Sequence, residues 1–76
     1  MSLVQTLELL DRAREYVDQG EEFLVDQRKI VERLERRGQD PLDAILFLED
    51  LEEVQEEYVA HRDRLERQVM RLVRPE

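Results

Sequence analysis

The chain has 76 residues, no cysteine, one histidine and a formal net charge of −8, and 42% of its side chains are charged. That length admits one small domain, and the lack of cysteine removes disulfides, thiolate metal sites and a cysteine nucleophile. The acidic balance opposes nucleic acid and anionic membrane surfaces as partners. The longest apolar run, Ala44–Leu48, is five residues, far short of a membrane span.

The first residues, Met-Ser-Leu-Val-Gln-Thr, lack the basic region and apolar stretch of a secretory signal, which makes a cytoplasmic location the expectation. Ser2 stands three residues before Gln5, the spacing of a capping box, and opens a helix expected over residues 3–37. Arg36 and Arg37 suit the negative end of that helix, and Gly38 supplies a left-handed stop. A turn over 38–40 follows. Asp40 as N-cap, Pro41 at the first helical position and Asp43 two residues further on then start a second helix expected over 41–73, with Pro75 beyond its end. So short a connection forces the two helices antiparallel.

The apolar pattern repeats every seven residues. In the first helix Leu10, Val17, Leu24 and Val31 form one row; Ala13, Gly20, Gln27 and Leu34 follow three later, and Leu9, Tyr16, Phe23 and Ile30 stand one position earlier. In the second helix Ala44, Leu51, Tyr58, Leu65 and Leu72 form a row, with Phe47, Val54, His61 and Gln68 expected to complete it three positions later. Sustained heptads predict a supercoiled seam. Three apolar rows on one helix make a stripe too wide for a single neighbour, and a surplus of exposed apolar surface marks an interface. The fold expected is therefore all-α, an antiparallel coiled-coil-like hairpin that dimerises into a four-helix bundle. The expected oligomer contacts are Leu10, Tyr16, Val17, Phe23, Leu24, Ile30, Val31, Leu51, Tyr58 and Leu65. Parallel and antiparallel arrangements of two hairpins fit the same stripe. Gly20, placed mid-helix on the apolar face, points to a close helix approach or a groove.

Each helix begins acidic and ends basic. Residues 8–26 hold seven acids and two arginines, 28–37 five basic residues and two acids, 43–57 seven acids and no base, and 62–74 five arginines and two acids. If residue i faces about residue 79 − i, Arg28, Lys29, Arg33 and Arg36 lie near Asp43, Glu49 and Asp50. Arg64, Arg67 and Arg71 then lie near Glu8, Asp11 and Glu15. The middle stays unmatched, because Asp18, Glu21, Glu22 and Asp26 meet Glu52, Glu53, Glu56 and Glu57 in an acidic waist. Glu22, Asp26, Glu53, Glu56 and Glu57 are the candidate contacts for a basic protein or peptide.

Signatures of catalysis are missing. There is no glycine-rich phosphate loop, and Ser2 is the only serine, so a Ser-His-Asp arrangement has no candidate in the helices. His61 is expected at the edge of the core, hydrogen-bonded to Glu57, Tyr58 or a facing residue. The alternative is a metal- or small-ligand-binding bundle centred on His61 and Glu57. Di-metal bundles place a carboxylate three residues before histidine, where this chain has Tyr58. Phosphotransfer on His61, as in dimeric helical hairpins that carry a phosphoacceptor histidine, would want that residue exposed on the first helix. No cofactor is expected. The reading is a non-enzymatic, homodimeric interaction or scaffold module.

Gly20-Glu21, Gln27-Arg28, Leu34 and Gly38 with Asp40, together with Leu48-Glu49, Gln55 and His61-Arg62-Asp63-Arg64-Leu65, form a recognisable set. It resembles a group of short, uncharacterised proteobacterial proteins built as helical hairpins with a His-Arg-Asp-Arg-Leu stretch in the second helix. The resemblance spans Gly20 to Leu65 and implies the hairpin fold and a bacterial origin, with no activity attached. Where members carry further histidines, this chain has Phe23 and Tyr58 or their neighbours.

Overall fold

In a computed structural model of the chain, which describes residues 1–74, two helices make up nearly all of the backbone: α1, Leu3–Arg36, and α2, Leu42–Val73. They pack antiparallel as a hairpin measuring 60 × 15 × 14 Å. The expected position of Pro75 lies outside the described residues.

Local chemistry sets both ends of α1. The Ser2 hydroxyl accepts from the Gln5 amide at 3.2 Å, and the Gln5 side-chain oxygen accepts from the Ser2 amide at 3.1 Å. Two of the donors that a helix start leaves free are thereby used. At the other end Gly38 has φ +67°, its amide donates to the Glu35 carbonyl at 3.1 Å, and the Gln39 amide donates to the Leu34 carbonyl at 2.9 Å. That pair of bonds is a Schellman stop, and glycine occupies its left-handed position because it has no Cβ to clash. The helix ends at Arg36, one residue before the expected boundary. α2 begins one residue later than expected: Pro41 flanks the helix with φ −90° and ψ 6°, and Leu42 is its first residue. Asp40 is therefore not the N-cap that the sequence suggests; it lies one residue before it, and its carboxylate accepts from the Leu42 amide at 3.0 Å in a turn that leads into the helix.

The seam on α1 is the one the heptads predict. Thr6, Leu10, Ala13, Val17, Leu24, Gln27 and Val31 are buried at alternating spacings of three and four, apart from the gap at half-buried Gly20. On α2 the first expected row holds in part: Ala44 and Leu51 are half-buried and Leu65 is buried, whereas Tyr58 and Leu72 are exposed. The second row is different. Leu48, Gln55, Arg62 and Val69, four positions after each member of the first, turn inward, whereas Phe47, Val54 and His61 lie outside. The hairpin thus buries a glutamine and half-buries an arginine while leaving a phenylalanine and a valine exposed.

Two glutamines account for this choice. Gln55 Nε2 donates to the Val17 carbonyl at 2.9 Å, and Gln27 Nε2 donates to the Ala44 carbonyl, also at 2.9 Å. Each ties a side chain of one helix to the backbone of the other. Rotating α2 to bring Phe47 and Val54 inward would carry Gln55 out and strand Gln27 against an apolar neighbour, and buried amides without partners are expensive. The Gln55 amide lies over Gly20, so that a Cβ added there would collide with it. Its Oε1 is buried without an N–H or O–H partner. The Gly20 Cα–H on that side points at this oxygen, a weak contact of the kind that accompanies close backbone approach.

These contacts fix the register. Gly20 meets Gln55, and Leu10 shares a core cluster with Leu65, each pair summing to 75 (20 + 55 and 10 + 65). The expected sum was 79, so the helices are slid by four residues, about 6 Å. Among the described residues the expected ion pairs are not formed. The interhelical pair present is Arg14–Glu66 at 3.5 Å, with the base on α1 and the acid on α2. Arg62 holds Asp63 at 3.1 Å and Glu66 at 3.9 Å within α2. Exposed ion pairs contribute too little to override a seam held by buried groups.

Helix propensity alone favours Gly20→Ala by ~1 kcal/mol. The Gln55 contact reverses that sign: Gly20→Ala is expected to lower stability by about 1–3 kcal/mol and, in a Gln55→Ala background, to raise it. Urea unfolding of the four proteins at one concentration measures this coupling.

Candidate interaction surface

An antiparallel pair has two broad sides, and here they differ in chemistry. On one side Arg14, Glu21 and Arg28 of α1 run beside Glu52, Val59 and Glu66 of α2, and the Arg14–Glu66 pair bridges them. The other side carries Leu9, Tyr16, Phe23 and Ile30 of α1 beside Phe47, Leu51, Val54 and Tyr58 of α2. Phe23 is 62% exposed, Phe47 53% and Tyr16 50%. Scattered apolar side chains are normal on a surface, but a continuous band of them along both helices is not.

At the centre of this band is a hollow of about 200 Å³ lined by Tyr16, Gln19, Gly20, Phe23, Leu51, Val54, Gln55 and Tyr58. It exists because Gly20 contributes no side chain and the Gln55 amide lies flat across the seam below. The Tyr16 and Tyr58 rings stack with centroids 5.6 Å apart and planes inclined by 17°, closing one wall. This offset stacking is favourable for aromatic pairs.

The ten side chains expected at an oligomer interface fall into two groups. Leu10, Val17, Leu24, Val31 and Leu65 are buried within the hairpin's own seam. Tyr16, Phe23, Ile30 and Tyr58 are exposed on the apolar side, and Leu51 is half-buried beneath them. Phe47 and Val54, read from sequence as seam residues, join the exposed group. Gln55, which shapes the hollow, was missed as a seam residue, because a polar side chain four positions along leaves no hydrophobic signal.

The acidic waist is in place. With facing residues summing to 75, positions 18–26 of α1 lie level with 49–57 of α2, and neither range contains a basic residue. Glu22, Asp26, Glu53, Glu56 and Glu57 are all exposed, spread around the outside of the pair. Most of this belt faces away from the apolar side.

His61 departs from its expected setting. It is exposed, on the outer row with Phe47 and Val54, and makes no hydrogen bond to Glu57 or Tyr58. Among the described residues no group of three or more His, Cys, Asp or Glu side chains is placed to hold a metal ion, and no helix is long and apolar enough to cross a membrane. Comparison with family models, with curated proteins and with solved structures finds no match. The surface itself is therefore the ground for a functional reading.

One imidazole without convergent carboxylates gives a divalent ion little to choose over water. Zinc added to the native protein and to His61→Ala is expected to raise the melting temperature of neither. A selective rise in the native protein would reveal a site at His61.

Proposed function

We propose that this chain is a non-enzymatic interaction module that self-associates through its apolar side into a four-helix bundle and presents its acidic waist to a basic protein segment. The observation that carries the reading is the band from Leu9 and Tyr16 through Phe23 and Ile30, continued across the hairpin by Phe47, Val54 and Tyr58. A second hairpin placed on that band removes apolar surface from both copies at once, at about 25 cal/mol per Å². It also gives each helix the second neighbour that its wide stripe requires. Short chains without disulfides or metals commonly reach stability by association.

The waist supports the partner half of the proposal. Glu22, Glu53 and Glu56 point away from the apolar band and form no ion pair among the described residues, although Arg28 borders the same groove as Glu56. Their joint field would steer a basic segment toward the bundle and hold it in a salt-dependent way.

Sedimentation over a hundredfold concentration range is expected to give a dimer mass. Phe23→Asp with Val54→Asp is expected to shift it toward monomer with a loss of helix content. A cooperatively melting native monomer at every dilution would overturn the reading. The triple change Glu22→Lys, Glu53→Lys, Glu56→Lys is expected to leave mass and helicity unchanged while abolishing capture of a basic partner.

A further inference from the structure

We infer that the second copy docks antiparallel, with α1 lying over its own equivalent and α2 over its own, about a twofold axis that passes through the Gly20–Gln55 hollow. The inference rests on the proposed self-association and adds its geometry.

Two face-to-face arrangements of hairpins keep both apolar bands covered. In one the turns sit at the same end and α1 lies over the partner's α2. In the other the turns sit at opposite ends and each helix crosses its own copy. The charged residues that border the apolar band separate them. Along the outer edge of the band, α1 carries Arg12, Gln19, Asp26 and Arg33, and α2 carries Asp43, Asp50, Glu57, Arg64 and Arg71, each set at heptad spacing.

With turns together, facing numbers sum to about 75. Arg12 then meets Arg64 of the other copy and Asp26 meets Asp50, like charge on like; only Arg33 with Asp43 is complementary. With turns apart, Arg12 meets Asp26 on one edge (12 + 26 = 38), while Asp50 meets Arg64 and Asp43 meets Arg71 on the other (50 + 64 = 43 + 71 = 114). Twofold symmetry makes each of these pairs occur twice, against a single like-charge contact on the axis, where Glu57 faces Glu57 of the other copy. Juxtaposed like charges weigh against a wrong arrangement more than rim pairs stabilise the right one.

The two edges were read separately and agree on one axis. A sum of 38 centres α1 on Gln19, and a sum of 114 centres α2 on Glu57. Residues 19 and 57 lie at nearly the same height in the hairpin, since 19 + 57 is 76 against a register of 75. Both are also the midpoints of their helices, Leu3–Arg36 and Leu42–Val73. The axis that pairs the charges is thus the one that gives the longest overlap, and it falls on the hollow. On that axis Phe23 of each copy comes over Tyr16 of the other, above a space of about 200 Å³. Apolar cavities near this size accept an aromatic ring.

The natural absence of cysteine permits single reporters. A nitroxide on Gln39→Cys, in the turn, is expected to give an interspin distance of about 55 Å by dipolar spectroscopy, from two arms of ~19 residues at ~1.5 Å each. Gln19→Cys, on the axis, is expected to form an intermolecular disulfide under mild oxidation. Phe23→Ala should weaken association more than tenfold. A dimer whose turn labels lie within about 25 Å, side by side as neighbouring helices pack, would overturn the antiparallel geometry and leave self-association standing. So would failure of Gln19→Cys to cross-link in a sedimentation-proven dimer. A monomer at all concentrations would instead overturn the self-association on which the geometry rests.

Discussion

The contact between the Gln55 amide and Gly20 is the constraint on which the hairpin is organised. A glutamine can lie flat across the facing helix only where that helix has no side chain, and Gly20 provides the one such gap in the middle of α1. Once seated, its amide donates to the Val17 carbonyl, and the reciprocal bond from Gln27 to Ala44 holds the pair from the other direction. Hydrophobic contacts are tolerant of sliding. Two directed bonds from buried amides are not, because displacement leaves polar groups unpaired in a place that water does not reach.

The rest of the architecture follows from where that contact points α2. Its inner row becomes Leu48, Gln55, Arg62 and Val69, so Phe47 and Val54 are turned out beside Tyr16, Phe23 and Ile30. A more apolar seam was available in the sequence, and the molecule does not use it. Polar groups in a helical seam trade stability for one defined register and orientation. Here they also shift apolar side chains from the inside of the hairpin to its surface, which is the surplus that the proposed self-association uses. Intramolecular specificity and an adhesive outer face thus have one origin.

Electrostatics plays a different part at each level. Within the hairpin it is minor: among the described residues one interhelical ion pair forms, half-exposed, between Arg14 and Glu66. Along the edges of the apolar band, the placement of Arg12 and Asp26 on α1, and of acids before arginines on α2, matters only when a second copy is brought close. At the waist the carboxylates of both helices fall at one height with no base among them. Like charges gathered in this way keep such a surface hydrated and receptive to cations rather than to nucleic acid.

Most of the secondary structure was legible in the residues. Ser2 with Gln5, Gly38, and Asp40 with Pro41 mark the helix ends to within one residue, because caps and turns are decided by neighbours in the chain. The seven-residue rows of α1 found its buried face for the same reason. The face of α2 was not legible, since Phe47 with Val54 and Leu48 with Gln55 are separated by only one position, or about 100° of helix. Hydrophobicity prefers the first pair, and the hydrogen bonds that favour the second connect residues 38 and 17 apart, across the two helices. The sequence by itself determined two helices, their antiparallel hairpin and an acidic middle, all products of short-range rules. Only the tertiary structure decided the register, the outward turn of Phe47, Val54 and His61, and the hollow at Gly20, because these depend on which distant backbone a buried amide can reach.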